Sequence, residues 1–109
     1  MSLRWVATFL DAQAAERGAA ENTLLSYGRD LRAFCDWCTD NGHALETLSQ
    51  TEVEAYLLTL DAQGLAKSTR ARRLSAIKQL FRFAYDEGWR DTNPAMQIAG
   101  PGKTKRLPK

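Results

Sequence analysis

Apolar residues recur every three or four positions along most of the chain, and no stretch alternates apolar and polar residues as a strand does. This spacing predicts four helices, over residues 3–16, over residues 23–41, from residue 50 to a stop at Gly64, and over residues 67–87. A glycine follows each predicted helix, where a left-handed residue commonly ends one. The predicted fold is therefore all-α, a small four-helix bundle-like domain without a sheet.

Each predicted helix has an apolar face that can pack into a common core. On the first helix one face is Leu3, Val6, Ala7, Leu10 and Ala14, and Trp5 and Phe9 lie on a separate arc, so two apolar faces are predicted. On the second it is Leu24, Tyr27, Leu31, Phe34, Cys35 and Cys38. Trp37 lies off this stripe, and we expect it to touch the first helix or a partner protein. The third helix buries Val53, Tyr56, Leu57 and Leu60, and the fourth buries Leu74, Ile77, Leu80, Phe81 and Ala84.

Local sequence marks two helix starts and the end of the domain. Asn22 is a favourable N-cap for the second helix, and Ser49-Gln50-Thr51-Glu52 has the spacing of a capping box. A turn at Asn93-Pro94 follows the fourth helix. Residues 100–109 are Gly, Pro and cations without hydrophobic periodicity. We therefore expect one domain over residues 1–99 and a basic linker over residues 100–109.

The fourth predicted helix is the most basic stretch, with six Lys or Arg and no acid between Lys67 and Arg82. Cations, hydroxyls and amides bind DNA phosphates and base edges, although an ordinary solvated helix face has the same composition. Arg70 and Arg73 project toward the apolar side instead, and we expect Arg73 to extend its charge past the core to solvent. The arc opposite the apolar face comprises Lys67, Ser68, Ala71, Arg72, Ser75, Lys78, Gln79 and Arg82.

The charge of the chain is divided between its two halves. The formal net charge is +2, but residues 1–63 hold four Lys or Arg against ten Asp or Glu, and residues 64–109 hold eleven against three. This asymmetry favours a polyanion as the partner of the second half. At the start of the second helix, Thr23, Ser26, Arg29 and Arg32 lie outside the apolar stripe, where free N–H groups favour anions. Phosphate contacts and ordinary capping or solvent positions both remain open for these four.

Several classes of protein are disfavoured. No apolar run approaches the roughly 20 residues that span a bilayer, and the N-terminus is too polar for a signal peptide, so we expect a cytosolic chain. Cys35 and Cys38 form a CxxC pair in mid-helix, where buried thiols are expected rather than a redox pair. His43 is the only histidine, which leaves a structural zinc site incomplete. Because no nucleophile, base and orienting group stand out, we expect no catalytic residue, cofactor, metal or small-molecule substrate.

Three blocks of the sequence, in register, resemble the N-terminal core-binding domain of tyrosine recombinases. The blocks are NTLLSYGRDLRAFCDWC, then GLAKSTRARRLSAIKQLFRFAYDEGW, then TNPAMQI followed by PGKTKRLPK, and together they cover nearly the whole chain. The second is the most specific, with an Arg-Arg-Leu-Ser-Ala core, the aromatic pair Phe81 and Phe83, and an NPA turn after it. Within the family the likeness is to the bacterial Xer-type enzymes, which resolve chromosome dimers.

The resemblance implies a SAM-like helical bundle that forms half of a clamp around DNA, with its second and fourth helices facing the major groove. The implied partners are a double-stranded recombination site and other recombinase protomers. The residues implicated in DNA binding are Thr23, Ser26 and Arg29 on the second helix, Lys67, Ser68, Arg70, Arg72, Ser75, Lys78, Gln79 and Arg82 on the fourth, and Lys103, Lys105 and Arg106 in the linker, which would cross the DNA backbone.

The resemblance also implies that catalysis belongs to a second domain. In this family an Arg, a Lys, a His-x-x-Arg pair and a nucleophilic Tyr cut and rejoin DNA through a phosphotyrosine link, and no segment here matches them. We therefore expect the chain to be the DNA-binding piece of a site-specific recombinase and no enzyme by itself. The alternative is a helical protein-interaction module without DNA binding, whose contact surface would be Trp37 and the Trp5 and Phe9 face. The target sequence, and whether the parent resolves chromosome dimers or integrates a mobile element, stay open.

Overall fold

The computed structural model describes residues 2–16, 18 and 20–98, and the side chains of residues 4–15, 18 and 20–98. These residues form four α-helices and no strand: α1 Ser2–Glu16, α2 Glu21–Asp40, α3 Gln50–Ala62 and α4 Lys67–Asp86. The all-α prediction is confirmed, and the predicted helix bounds are within two residues of the observed ones. The predicted domain end at residue 99 and the linker, with Lys103, Lys105 and Arg106, lie outside the described residues.

Gly88 ends α4 and turns the chain back onto the core. Its φ of 78° lies in the left-handed region, which favours glycine because a side chain would be strained there. The N–H of Gly88 donates to the carbonyl of Tyr85 at 3.1 Å, and the N–H of Trp89 donates to that of Ala84 at 2.9 Å. This pair of bonds is a Schellman motif. It places Trp89 against Trp5 of α1, with ring centroids 5.0 Å apart.

Of the two predicted helix starts, one is confirmed and the other is wrong. The capping box of α3 is confirmed, since the Ser49 hydroxyl accepts from the N–H of Glu52 at 3.2 Å and the Glu52 carboxylate accepts from the N–H of Ser49 at 3.0 Å. The prediction for α2 is wrong, because the N-cap is Ala20, which makes no side-chain cap bond. Asn22 lies inside the first turn. The helix therefore starts two residues before the predicted position, and Asn22 is not used as a cap.

Helix α1 buries the second of its two predicted apolar faces, together with Val6 of the first. Its core residues are Trp5, Val6 and Phe9, and Phe9 lies edge-on to Phe83 of α4, with ring centroids 5.7 Å apart. Burying large aromatic rings removes more apolar surface from water than burying alanines does, which explains the choice of face. Of the first predicted face, Leu10 is half-buried, Ala7 and Ala14 are exposed, and the side chain of Leu3 is not described.

Helix α4 packs against each of the other three helices. The predicted apolar face of α4 is confirmed, since all five of its members are buried. The centre of the predicted face of α2 is also buried, with Leu24 and Tyr27 at its start only half-buried. The periodicity did not predict Leu45 and Leu48, which are fully buried although they lie in the α2–α3 connection. Arg90 holds this connection to the segment after α4, because its Nη1 donates to the carbonyl of Leu45 at 2.8 Å.

The surface proposed for a protein-interaction module is partly covered. Trp5 and Phe9 are in the core. Trp37 is half-buried, and its ring lies 5.3 Å from that of Tyr56 on α3 and 5.4 Å from that of His43. The Trp37 ring therefore packs on α3 and the α2–α3 connection, and a contact with a partner protein stays a prediction. The core positions of Trp5 and Phe9 take two of the three residues away from the surface proposed for the alternative function.

Candidate nucleic-acid interface

The polar arc of α4 lies along one side of the domain, outside the core. Lys67, Ser68, Ala71, Arg72 and Arg82 are exposed, and Ser75, Lys78 and Gln79 are partly exposed. A helix of 20 residues is about 30 Å long, so the arc presents cations, hydroxyls and an amide over that length. The opposite side of α4 supplies six buried core residues, which hold the arc on a rigid element.

Arg72 is held by a buried carboxylate on the neighbouring helix α2. Its Nε donates to Oδ2 of Asp30 at 2.8 Å, and its Nη2 donates to Oδ1 at 2.9 Å. The side chain of Asp30 is 1% exposed and that of Arg72 is 46% exposed. The hydrogen bond to Asp30 raises the pKa of Arg72. The pair is a bidentate fork, the strongest geometry for an arginine and a carboxylate, and it fixes α4 against α2.

Asp30 also faces a second arginine. The Nε of Arg73 lies 3.6 Å from Oδ1 of Asp30, and its Nη1 donates to the Tyr56 hydroxyl at 3.4 Å. Burial raises the pKa of Tyr56, although the bond from Arg73 opposes this. The expectation that Arg73 reaches solvent is therefore wrong, since its guanidinium turns inward to Asp30 and Tyr56. One carboxylate and two guanidinium groups leave this cluster with a net charge of +1.

The remaining cations of α4 differ in how many hydrogen bonds and ion pairs they form within the domain. Arg70 donates from Nε to the carbonyl of Leu65 at 3.2 Å, and its Nη1 lies 3.3 Å from Asp61 of α3. Arg82 is 3.9 Å from Asp86, and both side chains are mostly exposed, so this pair is weak. Lys67 and Lys78 form no ion pair among the described residues.

Both helices of the predicted interface begin without a side-chain cap. The N-caps are Ala20 for α2 and Ala66 for α4, and neither forms a side-chain cap bond. The first turn of α4 contains no acid, and it carries Lys67 and Ser68. N–H groups at an uncapped helix start favour an anion. The start of α4 therefore combines unsatisfied donors with positive charge.

The predicted residues of α2 divide between two sides of that helix. Ser26 is one turn before Asp30 and so lies on the side that faces Arg72, with the exposed Thr23 near it. Arg29 is exposed and lines a different recess, of about 510 Å³, together with Leu10 of α1 and Leu25 and Arg32 of α2. Thr23 and Ser26 thus lie beside α4, whereas Arg29 lies toward α1.

Asn93 extends the arc beyond the end of α4. It lines a recess of about 200 Å³ with Lys78, Gln79, Arg82 and Met96. Its Oδ1 accepts from the N–H of Ala95 at 3.1 Å, so the amide nitrogen is left to donate. Two cations and two amides around one recess could bind a phosphate or a base edge. Neither Asn93 nor Asp30 was among the predicted site residues.

The two cysteines are buried thiols, as expected. Burial raises the pKa of Cys35 to about 11 and that of Cys38 to about 12, which opposes the thiolate that redox chemistry needs. Within residues 2–16, 18 and 20–98, no three His, Cys, Asp or Glu side chains come together as metal ligands. Over the same residues, no helix is both long and apolar enough to cross a membrane.

A family comparison identifies the class to which this fold and basic arc belong. Residues 6–88 match the family described as "Phage integrase, N-terminal SAM-like domain". The chain therefore belongs to that family, and the resemblance inferred from the three sequence blocks is confirmed.

The chain is also similar in sequence to individual proteins that carry one name. The chain is 42% identical to the tyrosine recombinase XerD of Caulobacter vibrioides, over 96% of this chain and 34% of the relative. It is 44% identical to the tyrosine recombinase XerD of Brucella abortus, over 95% of this chain and 34% of the relative. It is 42% identical to the protein of the same name in Rhizobium meliloti, over 100% of this chain and 35% of the relative. The chain spans about a third of the length of these curated relatives.

Proposed function

We propose that this domain binds double-stranded DNA as part of a tyrosine recombinase, with the arc of α4 and the start of α2 in the major groove, as half of a clamp. The observation that carries the proposal is the exposed, cation-rich arc of α4, whose uncapped first turn contains no acid, in a member of an integrase family. The field of such an arc attracts a polyanion, and the unsatisfied N–H groups supply phosphate contacts.

The proposed roles follow from how each side chain is held. Among the described residues, Lys67 and Lys78 form no ion pair and Arg82 forms only a weak one, which suits phosphate contacts. The shorter or fixed groups, Ser68, Arg72, Ser75 and Gln79, suit base edges. Thr23 and Ser26 add hydroxyls from α2, and Arg29 reaches the DNA only if the duplex extends toward α1. Arg70 has the weakest role, because Leu65 and Asp61 already engage it. Lys103, Lys105 and Arg106 are proposed to cross the backbone.

The rest of the proposal concerns the whole protein. We propose that a further domain supplies the catalytic residues, so that this piece holds DNA without cutting it, and that the protein acts in the cytoplasm. Other recombinase protomers are the proposed protein partners. The recess between α1 and α2, which has the exposed Leu25 at its edge and charged side chains of α2 in its lining, is the surface proposed for a neighbouring protomer.

The proposal is tested by the salt dependence of binding to a fluorescein-labelled duplex, measured by fluorescence anisotropy. If about five phosphates are contacted, log K falls with log salt at a slope of about −4 to −5. Lys78→Ala with Arg82→Ala should weaken binding and reduce the slope by about 2, since each contact contributes about 0.9. Arg4→Ala is the matched control, because Arg4 is an exposed cation of α1. Equal slopes for the double variant and the control would contradict the assignment of α4 as the DNA-binding surface.

A further inference from the structure

We propose that Asp30 is a positioning residue for DNA binding. It binds the Nε–Nη2 edge of the Arg72 guanidinium, so that the neighbouring Nη1–Nη2 edge is held as a fixed pair of donors for two adjacent acceptors on DNA. The acceptors would be either two phosphate oxygens or N7 and O6 of a guanine, which an arginine fork fits equally well. This inference rests on the proposed function and adds a residue that does not touch DNA.

The donor geometry of Arg72 carries the inference. A guanidinium has five N–H groups in one plane. Asp30 accepts from Nε and from one hydrogen of Nη2, which leaves one N–H on Nη2 and both on Nη1. Those on the Nη1–Nη2 edge form a second fork, directed away from Asp30. The carboxylate of Asp30 is 1% exposed and the Arg72 side chain is 46% exposed, so the pair lies where α2 meets the surface.

Fixing Arg72 in advance should strengthen binding. A free arginine on a helix surface loses much rotamer freedom when it binds. Asp30 removes that freedom from Arg72 before DNA binds. Asp30 is itself fixed, because its neighbours on α2, Leu31 and Phe34, are fully buried and hold the backbone of that turn in place. Preorganisation of this kind raises affinity by lowering the cost of ordering.

Arg73 explains why the fork remains attractive to an anion. An arginine paired with one carboxylate is neutral as a pair and draws a phosphate or a guanine only weakly. Arg73 lies 3.6 Å from Oδ1 of Asp30, the oxygen that also accepts from Nη2 of Arg72, so the three groups together keep one positive charge. The arginine that points toward the core thereby contributes charge to the interface.

The direction in which Asp30→Asn changes DNA affinity distinguishes a positioning role of Asp30 from a simple effect of its charge. Removing a negative charge next to DNA should strengthen binding through Coulomb attraction alone. If Asp30 positions Arg72, binding should instead weaken, by about 10-fold on the preferred sequence. Asp40→Asn is the control, since it makes the same charge change at an exposed position of the same helix. Arg72→Lys, which keeps the charge and the partner of Asp30 but loses the fork, should weaken binding like Asp30→Asn.

The experiment uses the 109-residue chain and duplexes selected from a randomised pool by the wild type. A duplex with 7-deazaguanine, which lacks N7, identifies the acceptor. If 7-deazaguanine weakens binding by the wild type but not by Asp30→Asn, the fork binds a guanine. If Asp30→Asn binds every duplex more weakly than the wild type by the same factor, the fork binds phosphate. Binding by Asp30→Asn that is as tight as that of Asp40→Asn overturns the inference alone. A wild type without salt-dependent binding overturns the proposed function and this inference together.

A measurement without DNA checks the same geometry. In nitrogen-15 NMR spectra, the Nε–H of Arg72 should exchange slowly with water and shift downfield, and both features should disappear in Asp30→Asn but not in Asp40→Asn. Thermal melts by circular dichroism set the temperature at which every variant is folded. A fast-exchanging Arg72 Nε–H in the wild type would overturn the inference whatever the DNA results.

Discussion

Arg72→Ala is expected to destabilise the domain by about 2 to 3 kcal/mol, although Arg72 lies at the surface. Removing one partner of a buried ion pair costs about 3 to 5 kcal/mol, because the other charge stays buried. Asp30 is that remaining charge, at 1% exposure. Two features lower the cost here: Arg73 stays 3.6 Å from Asp30 and partly neutralises it, and Arg72 is itself 46% exposed, so the pair is only half desolvated.

The energetic coupling of the two side chains distinguishes their pairing from a general loss of packing. Asp30→Ala alone should also destabilise, because Arg73 is then left without its carboxylate. The double variant Asp30→Ala/Arg72→Ala should be less destabilised than the sum of the single variants, by about 2 kcal/mol. Urea denaturation followed by far-UV circular dichroism measures all four proteins, and the loss in Arg72→Ala corresponds to a fall in Tm of about 10 to 20 °C.

Arg82→Ala is the control for these measurements. It removes an arginine of the same helix whose partner, Asp86, is 3.9 Å away and mostly exposed, so it should change the free energy of unfolding by less than about 0.5 kcal/mol. If Arg72→Ala were no more destabilising than Arg82→Ala, or if the coupling were zero, the buried carboxylate would not depend on Arg72 and the reasoning would be refuted.

Two further predictions concern the thiols and the cap of α3. Burial raises the pKa of Cys35 to about 11 and that of Cys38 to about 12, from an ordinary 9.0. Above about pH 9 the folded state therefore retains protons that the unfolded chain releases. The free energy of unfolding should fall as the pH rises above that value. In urea titrations across that range, Cys35→Ala/Cys38→Ala should show a smaller fall, and an equal fall would contradict the assignment. Ser49→Ala should cost about 1 kcal/mol through loss of the cap, whereas Ser49→Asp retains it; thermal melts in which the two variants lose equally would show that the capping box does not stabilise α3.

The sequence predicted the helices and the orientation of α4 because both depend on local periodicity. Its apolar residues are large and regularly spaced, so one face was clear. Periodicity left two apolar faces on α1, because it counted Ala7 and Ala14 equally with Trp5 and Phe9, although an aromatic ring buries far more surface. It also could not find Leu45 and Leu48, because the α2–α3 connection has no period.

The Asp30–Arg72 pair lay beyond prediction for a different reason. Its members are 42 residues apart, and they meet only because of how α2 and α4 pack. A signal was present, since Arg70 and Arg73 projected toward an apolar face where a cation needs a partner. Asp30, at the margin of the apolar stripe of α2, was the acid that could supply one. The roles of Thr23, Ser26, Arg29 and the α4 arc in DNA binding remain predictions.

The contact between Trp5 and Trp89 has a consequence for how the domain forms during synthesis. At about 5 to 20 residues per second, a ribosome needs on the order of 4 to 17 s to reach Trp89 after it has made Trp5. During that interval α2 is already available to pack on α1, and Tyr27 can meet Phe9, but the Trp5 ring still lacks the ring of Trp89. The packing of Trp5 is therefore completed only when Gly88 directs Trp89 back onto the first helix.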